Sequence, residues 1–226
     1  MALSAIPAIR PYPLPAPAGL PENTAAWEAD PTRALLLIHD MQHYFLQFLP
    51  AGQEPRTGLE DRVTALRQGA AEAGVPVAYT AQPGDMTPRQ RGLLADFWGP
   101  GMSTAPEHRG FPEQFGPAAG DHVLTKWRPS AFFRTRLAEL MRTLGRDQLV
   151  LCGVYAHIGV LQTACDALAR DIESFIVADA VADFGEADHR MALEYAAARC
   201  SVVVPTETVL TAFRGGPAPR GPGAAR

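Results

Sequence analysis

The feature that most constrains the fold of this chain is a regular alternation between short apolar runs and segments with helical periodicity. Residues 34–39 form a short, largely apolar run, which is typical of a strand buried on both faces of a parallel sheet. Helical periodicity follows over residues 59–73 and ends at Gly74, and a second apolar run covers residues 75–80. This order of elements predicts a βαβ unit.

The same alternation continues along the chain. Further strands are predicted at residues 122–125, 148–154, 174–178 and 200–204, and further helices at residues 131–144, 157–170, 186–198 and 206–213. Because parallel strands require crossover connections, which are right-handed, we predict a Rossmann-like α/β fold with three layers. Its centre is a doubly wound open sheet of about six parallel strands, with the functional side chains beyond the strands' carboxyl ends.

Three segments depart from this alternation. Residues 1–31 contain seven prolines and predict an extended arm with a short helix near residues 23–28, ahead of one domain at residues 32–213. Residues 81–121 contain thirteen glycines and prolines and predict a long functional loop. The Gly/Pro/Ala-rich residues 214–226 are predicted to be a flexible tail.

Charge and composition argue against several classes of function. The net charge is only -4 and the arginines are scattered, so we expect no nucleic-acid partner and no membrane partner. No run approaches the roughly 20 apolar residues of a membrane span, and no leader pattern opens the chain, so we expect a cytoplasmic protein. The three cysteines lack paired spacing and are expected to be reduced thiols.

Four polar residues follow closely after predicted strands: Asp40, Gln82, Lys126 and Tyr155. Because the carboxyl ends of parallel strands meet at one edge of the sheet, we expect these side chains to converge. Lys126 is the only lysine among 20 basic residues. A coding bias toward arginine explains the missing lysines, but the retained one is a candidate for a position that a guanidinium cannot fill. Asp40 and Lys126 therefore predict either a catalytic pair in a cleft or a structural ion pair.

Six blocks of sequence, in one order, carry a family resemblance. They are Leu-Ile-His-Asp-Met-Gln at 37–42, Tyr-Thr-Ala-Gln-Pro-Gly at 79–84, Gln-Arg-Gly-Leu-Leu-Ala-Asp-Phe-Trp-Gly-Pro-Gly-Met at 90–102, Leu-Thr-Lys-Trp-Arg at 124–128, Gly-Val-Tyr-Ala-His-Ile-Gly at 153–159 and Val-Ala-Asp-Ala-Val-Ala-Asp-Phe at 177–184. From about residue 5 to about residue 210 the chain resembles the isochorismatases. Within that family it is most similar to the phenazine-pathway hydrolases of 2-amino-2-deoxyisochorismate.

The resemblance implies the isochorismatase-like hydrolase fold and the cleavage of a vinyl ether. The implied substrate is 2-amino-2-deoxyisochorismate, isochorismate or both. The amino compound is slightly preferred because residues 159–161 read Gly-Val-Leu, as in the phenazine enzymes. Pyruvate is released together with trans-2,3-dihydro-3-hydroxyanthranilate or 2,3-dihydro-2,3-dihydroxybenzoate, for the biosynthesis of a phenazine or other antibiotic, or of a siderophore.

Asp40 is implied as the acid that protonates the terminal methylene carbon of the ether, and Lys126 as its catalytic partner. Water then attacks the resulting cation, so the reaction needs no covalent intermediate and no cofactor. The acid must be protonated when the substrate is bound. We expect a closed pocket, and substrate carboxylates that face Lys126 and Arg91, to favour that form.

Three residues of the second and third blocks are implied to bind the substrate. Gln82 would hydrogen-bond a carboxylate or a ring hydroxyl, or alternatively stabilise its own loop. Arg91 offers a planar fork that matches a carboxylate, and Trp98 offers an apolar wall that excludes water from the acid. The alternative for Arg91 and Trp98 is that they only pin the loop.

Other implied pocket residues flank the fourth strand. Tyr155 would donate a hydrogen bond to the substrate, and Gly159 would leave room and backbone N–H groups for an anion at a helix N-terminus. The resemblance also implies a cis peptide bond between Val154 and Tyr155. Phe45 is a weaker candidate for the pocket wall, with core packing as the alternative. Pro129 occupies a place where the family usually has tyrosine, which removes a ring from the pocket.

Two other functions are weighed against ether hydrolysis. The wider superfamily includes cysteine amidases, whose nucleophile stands where this chain has Gly159. Cys165 lies about 240° further around the helix and Cys152 lies within a strand, so neither replaces that nucleophile. The amidases' metal site needs Asp and His in the loop after the second strand, which this loop lacks, so no metal is predicted. A non-catalytic docking scaffold is the other alternative. The resemblance also suggests a homodimer.

Four further residues are predicted to be structural. Neighbouring side chains of a strand point to opposite faces, so His39 is expected to point away from Asp40 and to lie in the core or behind the residues that contact the substrate. His157 is expected to support the start of a helix, and Asp179 and Asp183 are expected to make caps and turns.

Overall fold

The computed structural model describes residues 6–215. Its central sheet contains the strands β1 (Ala34–His39), β2 (Val77–Ala81), β3 (His122–Thr125), β4 (Gln148–Val154), β5 (Glu173–Ala182) and β6 (Val202–Val204). All five pairings are parallel and the strand order is β3-β2-β1-β4-β5-β6. The winding therefore reverses between β1 and β4, which confirms the predicted doubly wound α/β fold.

Helices cover both faces of this sheet. They are α1 (His43–Leu46), α2 (Arg56–Glu72), α3 (Pro88–Arg91), α4 (Leu94–Trp98), α5 (Pro106–Arg109), α6 (Leu137–Thr143), α7 (Leu161–Leu168), α8 (Glu186–Arg199) and α9 (Thr206–Gly215). Helices α2 and α9 pack on one face, and α6, α7 and α8 pack on the other. Within residues 6–215, no helix combines the length and the apolar character needed to cross a membrane.

The burial of β1 explains why the strand positions could be predicted. All six of its residues are buried. Leu36 and Ile38 pack toward α2 and α9, whereas Leu35 and Leu37 pack toward the opposite layer. A strand that is covered on both faces has no position for a solvated side chain, and this produces the continuous apolar run in the sequence.

The N-terminal arm is extended from residue 6 to residue 31, with one 3₁₀ turn at Pro17–Gly19. The predicted helix near residues 23–28 is wrong. The Asn23 side chain accepts a hydrogen bond from Val203 N at 2.7 Å and donates one to Val203 O at 2.9 Å. The arm thus bonds to the edge strand β6 instead of to itself. Of the predicted tail, residues 216–226 lie outside the described part of the chain.

The predicted helix at residues 131–144 begins six residues too early. Helix α6 starts at Leu137, because Arg134 adopts a left-handed φ of 52° and Ala131 N donates to the Thr163 hydroxyl at 2.9 Å. The predicted loop after β2 contains three short helices, α3 to α5, and a 3₁₀ turn at Glu113–Phe115. These elements bring the loop back over the carboxyl edge of the sheet, where the cleft lies.

Candidate active site

A cleft opens at the carboxyl edge of the sheet, where the winding reverses. It encloses about 550 Å³ of empty space, counted out to its open mouth. The eight residues predicted to act in catalysis or binding all line it: Asp40, Phe45, Gln82, Arg91, Trp98, Lys126, Tyr155 and Gly159. They converge because they come after the carboxyl ends of the parallel strands β1 to β4 or belong to the loop that folds over these strand ends.

Asp40 and Lys126 form a buried ion pair on the floor of the cleft. Lys126 Nζ lies 2.6 Å from Asp40 Oδ2, and the two residues are only 3% and 4% exposed. Asp40 follows β1 directly, and Lys126 follows the edge strand β3. The pair therefore bridges strand ends that are separated in the sheet by β2.

Thr80 of β2 completes the support of this carboxyl group. Its hydroxyl donates to Asp40 Oδ1 at 2.6 Å and accepts from Asp40 N at 3.0 Å. Thr80 was not predicted as a site residue, although it stands next to the strand end in the block that contains Gln82. With Lys126 on one carboxyl oxygen and Thr80 on the other, the orientation of Asp40 is determined by hydrogen bonds on both sides.

His39 lies closer to Asp40 than predicted. Asp40 has left the strand with a φ of 52°, so the alternation of side chains ends at His39. His39 Nδ1 donates to Val154 O at 2.8 Å and lies 3.8 Å from Asp40 Oδ2. The ring is completely buried, and this burial lowers the pKa of His39 to about 4 against the opposing charge of Asp40. The imidazole is therefore neutral near pH 7.

Gln82 is held by its backbone and its side chain. The Gln42 side chain accepts from Gln82 N at 2.8 Å and donates to Gln82 O at 3.1 Å. Gln82 Oε1 accepts a long hydrogen bond of 3.4 Å from Arg91 Nη1. The amide oxygen of Gln82 therefore helps to stabilise the loop, although the side chain also lines the cleft. The hydrogen-bond donor of this side chain is its NH₂ group.

Two arginines add positive charge to the wall. Arg91 is 5% exposed and donates to Gly99 O at 2.8 Å and to Trp98 O at 3.1 Å. These hydrogen bonds pin the loop, which is the alternative role given above for Arg91. Burial, together with the charge of Arg128, lowers the pKa of Arg91. Neither guanidinium forms an ion pair with a carboxylate of residues 6–215. The charge of both groups is therefore uncompensated by acidic side chains of the described chain.

The aromatic wall departs from one prediction. Tyr155 was expected to donate to the substrate, but its hydroxyl donates to Phe45 O at 2.6 Å, and burial raises its pKa well above the ordinary value. The Tyr155 ring packs edge-on against the Phe184 ring, with the ring centroids 4.8 Å apart. The Phe184 ring in turn packs edge-on against Trp98, with a centroid separation of 5.7 Å. Tyr155 thus lines the cleft as an apolar wall. The peptide bond between Val154 and Tyr155 is cis, as the resemblance implies.

Gly159 also departs from its predicted role. It lies in a π-helical turn, Ala156–Val160, and its N–H donates to Tyr155 O at 3.1 Å. This amide is therefore engaged within the turn instead of being open to an anion. A Cβ atom at residue 159 would overlap the His39 ring, so no side chain is compatible with this packing.

Seven residues of the cleft were not predicted as site residues: Ile6, Tyr44, Leu94, Arg128, Pro129, Val154 and Ile158. Leu94, Arg128, Val154 and Ile158 belong to blocks that carry the family resemblance, and Pro129 follows one of them, so the blocks themselves were the available signal. Ile6 comes from the arm and is 8% exposed. No local pattern identifies it, because its place depends on how the arm crosses the domain.

Two of the residues predicted to be structural accept hydrogen bonds from backbone N–H groups at the starts of helical segments. Asp183 accepts from His157 N at 2.6 Å at the start of the π-helical turn. Asp179 accepts from Thr206 N at 2.7 Å at the start of α9.

The thiols of Cys165 and Cys200 are reduced and 3.7 Å apart. Among the described residues, no group of three or more His, Cys, Asp and Glu side chains could hold a metal ion.

Comparisons with known proteins give the family of the chain. Residues 34–208 match the family model of the isochorismatase domain. The chain is 57% identical over 208 residues to the phenazine biosynthesis protein PhzD1 of Pseudomonas aeruginosa, covering 92% of this chain and 100% of that protein. It is 50% identical over 214 residues to an isochorismatase of Bacillus subtilis, covering 95% of this chain and 69% of that protein.

A solved structure shares the fold at lower identity. The cysteine hydrolase of Pseudomonas syringae pv. phaseolicola superposes with a TM-score of 0.75 at 21% identity, covering 86% of this chain and 98% of that one. At this level of identity the similarity concerns the fold alone.

Proposed function

The chain belongs to the isochorismatase family, and from that premise we propose that it cleaves the vinyl ether of 2-amino-2-deoxyisochorismate, of isochorismate, or of both. It is an isochorismatase-type hydrolase. The name of its Pseudomonas aeruginosa relative supports a place in phenazine biosynthesis. The Gly-Val-Leu sequence at residues 159–161 favours the amino compound as the preferred substrate.

The observation that carries the proposal is the charge distribution of the cleft. Its wall contains three cationic side chains, those of Lys126, Arg91 and Arg128, and one acidic side chain, that of Asp40. Because buried charge is costly unless it is paired, a cleft with this excess favours an anionic ligand. Isochorismate and its 2-amino analogue each carry two carboxylates, which match two uncompensated guanidinium groups.

The proposed chemistry uses Asp40 as the general acid. Its proton moves to the terminal methylene carbon of the enolpyruvyl group, and the C=C electron pair forms the new C–H bond. Water adds to the resulting oxocarbenium carbon and gives up a proton to the Asp40 carboxylate, which restores the acid. The hemiketal then collapses: its hydroxyl proton passes to the ring oxygen as the ether C–O bond breaks, and pyruvate and the ring alcohol are released.

Other residues of the cleft support this step. Lys126 and Thr80 orient the Asp40 carboxyl group, because each bonds one of its oxygens. Arg91 and Arg128 bind the substrate carboxylates and thereby reduce the net positive charge around the acid. Gln82 donates from its amide to a carboxylate or ring hydroxyl. Trp98 and Phe45 exclude bulk water, which would otherwise stabilise the ionised acid.

The alternative of a cysteine amidase has no support from these side chains. Residue 159 is glycine, and burial raises the pKa of Cys152, whose thiol points within 3.8 Å of Leu37 O inside the sheet. A thiol with a raised pKa is a poor nucleophile near pH 7. The scaffold alternative leaves the buried Asp40–Lys126 pair without a use. We also propose that the protein is cytoplasmic and forms a homodimer. Sedimentation would measure its oligomeric state.

The test is an assay of pyruvate release. The protein is incubated separately with 2-amino-2-deoxyisochorismate and with isochorismate, and pyruvate is followed by its enzymatic reduction. Asp40→Asn and Asp40→Ala are expected to lower kcat by at least about a thousandfold, because the chemical step loses its acid. Lys126→Arg is expected to lower kcat at least about tenfold, because a guanidinium cannot take the position of the ammonium. Equal rates for the wild type and Asp40→Ala would refute the mechanism.

A further inference from the structure

The imidazole of His39 occupies the volume that a side chain at residue 159 would require. A Cβ atom built on Gly159 overlaps His39 Cε1 and lies 2.9 Å from Nε2 and 3.1 Å from Nδ1. Gly159 lines the cleft, whereas His39 lies behind it and is completely buried. A larger residue at position 159 therefore meets the ring before it meets the substrate.

One hydrogen bond and a contact with Thr163 hold this ring in place. Val154 O can only accept, so Nδ1 of His39 carries the proton of the bond at 2.8 Å. In the neutral imidazole Nε2 then carries no proton, and it lies in contact with the hydroxyl oxygen of Thr163 at 3.4 Å. The same hydroxyl donates to Gly159 O at 2.6 Å and accepts from Ala131 N at 2.9 Å. Thr163 thus contacts both His39 and Gly159.

The backbone of His39 has no room to retreat. His39 is aligned with Gly153 where β1 pairs with β4. Gly153 has a φ of 109°, and a Cβ atom there would overlap His39 O and lie 2.9 Å from His39 N. Both glycines are therefore required by the close approach of His39, one to its backbone and the other to its ring.

We infer that His39 is a positioning residue for the proposed reaction and that, as a matched pair with Gly159, it determines the class of substrate. Its ring fills the place of a residue-159 side chain, 3.8 Å from the Asp40 carboxyl group. The site consequently offers an acid and no nucleophile, which suits an enol ether and not an amide. This inference rests on the proposed function.

The test is a double-mutant cycle of Gly159→Ala and His39→Asn. The asparagine amide can still donate to Val154 O, but it lacks the outer edge of the imidazole. Gly159→Ala alone is expected to lower the thermal midpoint by at least about 5 °C, because its methyl group overpacks the site. It is also expected to lower kcat at least about tenfold with KM changed less than about threefold, because the displaced ring moves toward Asp40 and not into the cleft.

In the double variant the methyl group occupies the space that the ring has left. The thermal midpoint is therefore expected to rise above that of Gly159→Ala, and kcat is expected to recover at least about fivefold from it. Gly185→Ala is the control, since a Cβ atom there meets nothing within 4 Å. The effect of Gly185→Ala on the thermal midpoint is expected to add to the effect of His39→Asn on it.

Two results would overturn the inference. One is that the two substitutions lower the midpoint additively, and the other is that kcat of the double variant stays at the level of Gly159→Ala. A wild type that releases no pyruvate from either substrate would refute the proposed function and with it the positioning role. The two failures are distinguishable, because the coupling of the midpoints is measured without substrate.

Discussion

Thr80 binds Asp40 at two points, donating from its hydroxyl to Oδ1 at 2.6 Å and accepting from the Asp40 backbone N–H at 3.0 Å. The two residues are 40 positions apart in sequence but lie at adjacent ends of the paired strands β1 and β2. Both are buried. The backbone and the carboxyl group of the proposed acid are thus held by one hydroxyl group.

Replacing Thr80 by valine tests this arrangement, because valine keeps the shape and removes the hydroxyl. We expect kcat to fall about tenfold with KM nearly unchanged, since the carboxyl group loses its orientation and no substrate contact is lost. The free energy of unfolding is expected to fall by about 1–3 kcal/mol, because the buried N–H of Asp40 loses its acceptor. Steady-state kinetics and urea unfolding measure both effects. Thr80→Ser should retain most of the activity, and a fully active Thr80→Val would contradict the role.

Arg91→Lys tests the recognition of a substrate carboxylate. Lysine keeps the charge, but its three N–H donors share one nitrogen and cannot replace the separate nitrogens with which Arg91 reaches Gly99 O, Trp98 O and a carboxylate. We expect KM to rise about 10- to 100-fold and kcat to fall less, as measured by steady-state kinetics over a range of substrate concentrations up to saturation. Arg190→Lys, on the exposed side of α8, is the control and should leave both constants unchanged. An unchanged KM in Arg91→Lys would assign this arginine to the loop alone.

Tyr155→Phe separates a structural hydroxyl from a substrate donor. The hydroxyl already donates to Phe45 O, so its loss is expected to lower the free energy of unfolding by about 1–2 kcal/mol. Both kcat and KM are expected to stay within about threefold of the wild type, because the ring remains in the wall. A loss of kcat/KM beyond about tenfold, without a comparable loss of stability, would show that the hydroxyl serves the substrate after all.

The buried His39 predicts a specific loss of stability in acid. Burial lowers its pKa to about 4 in the folded protein, whereas the unfolded chain binds the proton near pH 6.5. The stabilisation is therefore complete above pH 6.5 and is lost as the pH falls toward 4, up to about 3 kcal/mol. In urea unfolding across this range, the stability difference between the wild type and His39→Asn should decrease by that amount. A difference independent of pH would mean that His39 titrates normally.

The sequence could predict the fold because its signals are local. Strands such as β1 are covered on both faces, so their apolar runs are continuous, and the helices between them force parallel pairing. The same order places Asp40 and Lys126 at one edge of the sheet, which is why two residues 86 positions apart could be paired before any distance was known. The helix predicted near residues 23–28 failed, because Asn23 bonds to the sheet edge and not within its own segment.

What the sequence by itself determined was therefore the order of the elements and the set of side chains that meet beyond the strand ends. Only the tertiary structure decided which atoms of those side chains are already engaged. The Tyr155 hydroxyl donates to Phe45 O, and the Thr80 hydroxyl donates to one carboxyl oxygen of Asp40. The His39 ring occupies the space beside Gly159. Periodicity along a chain reports which face of an element is buried, whereas hydrogen-bond partners and excluded volume depend on residues brought together from distant positions.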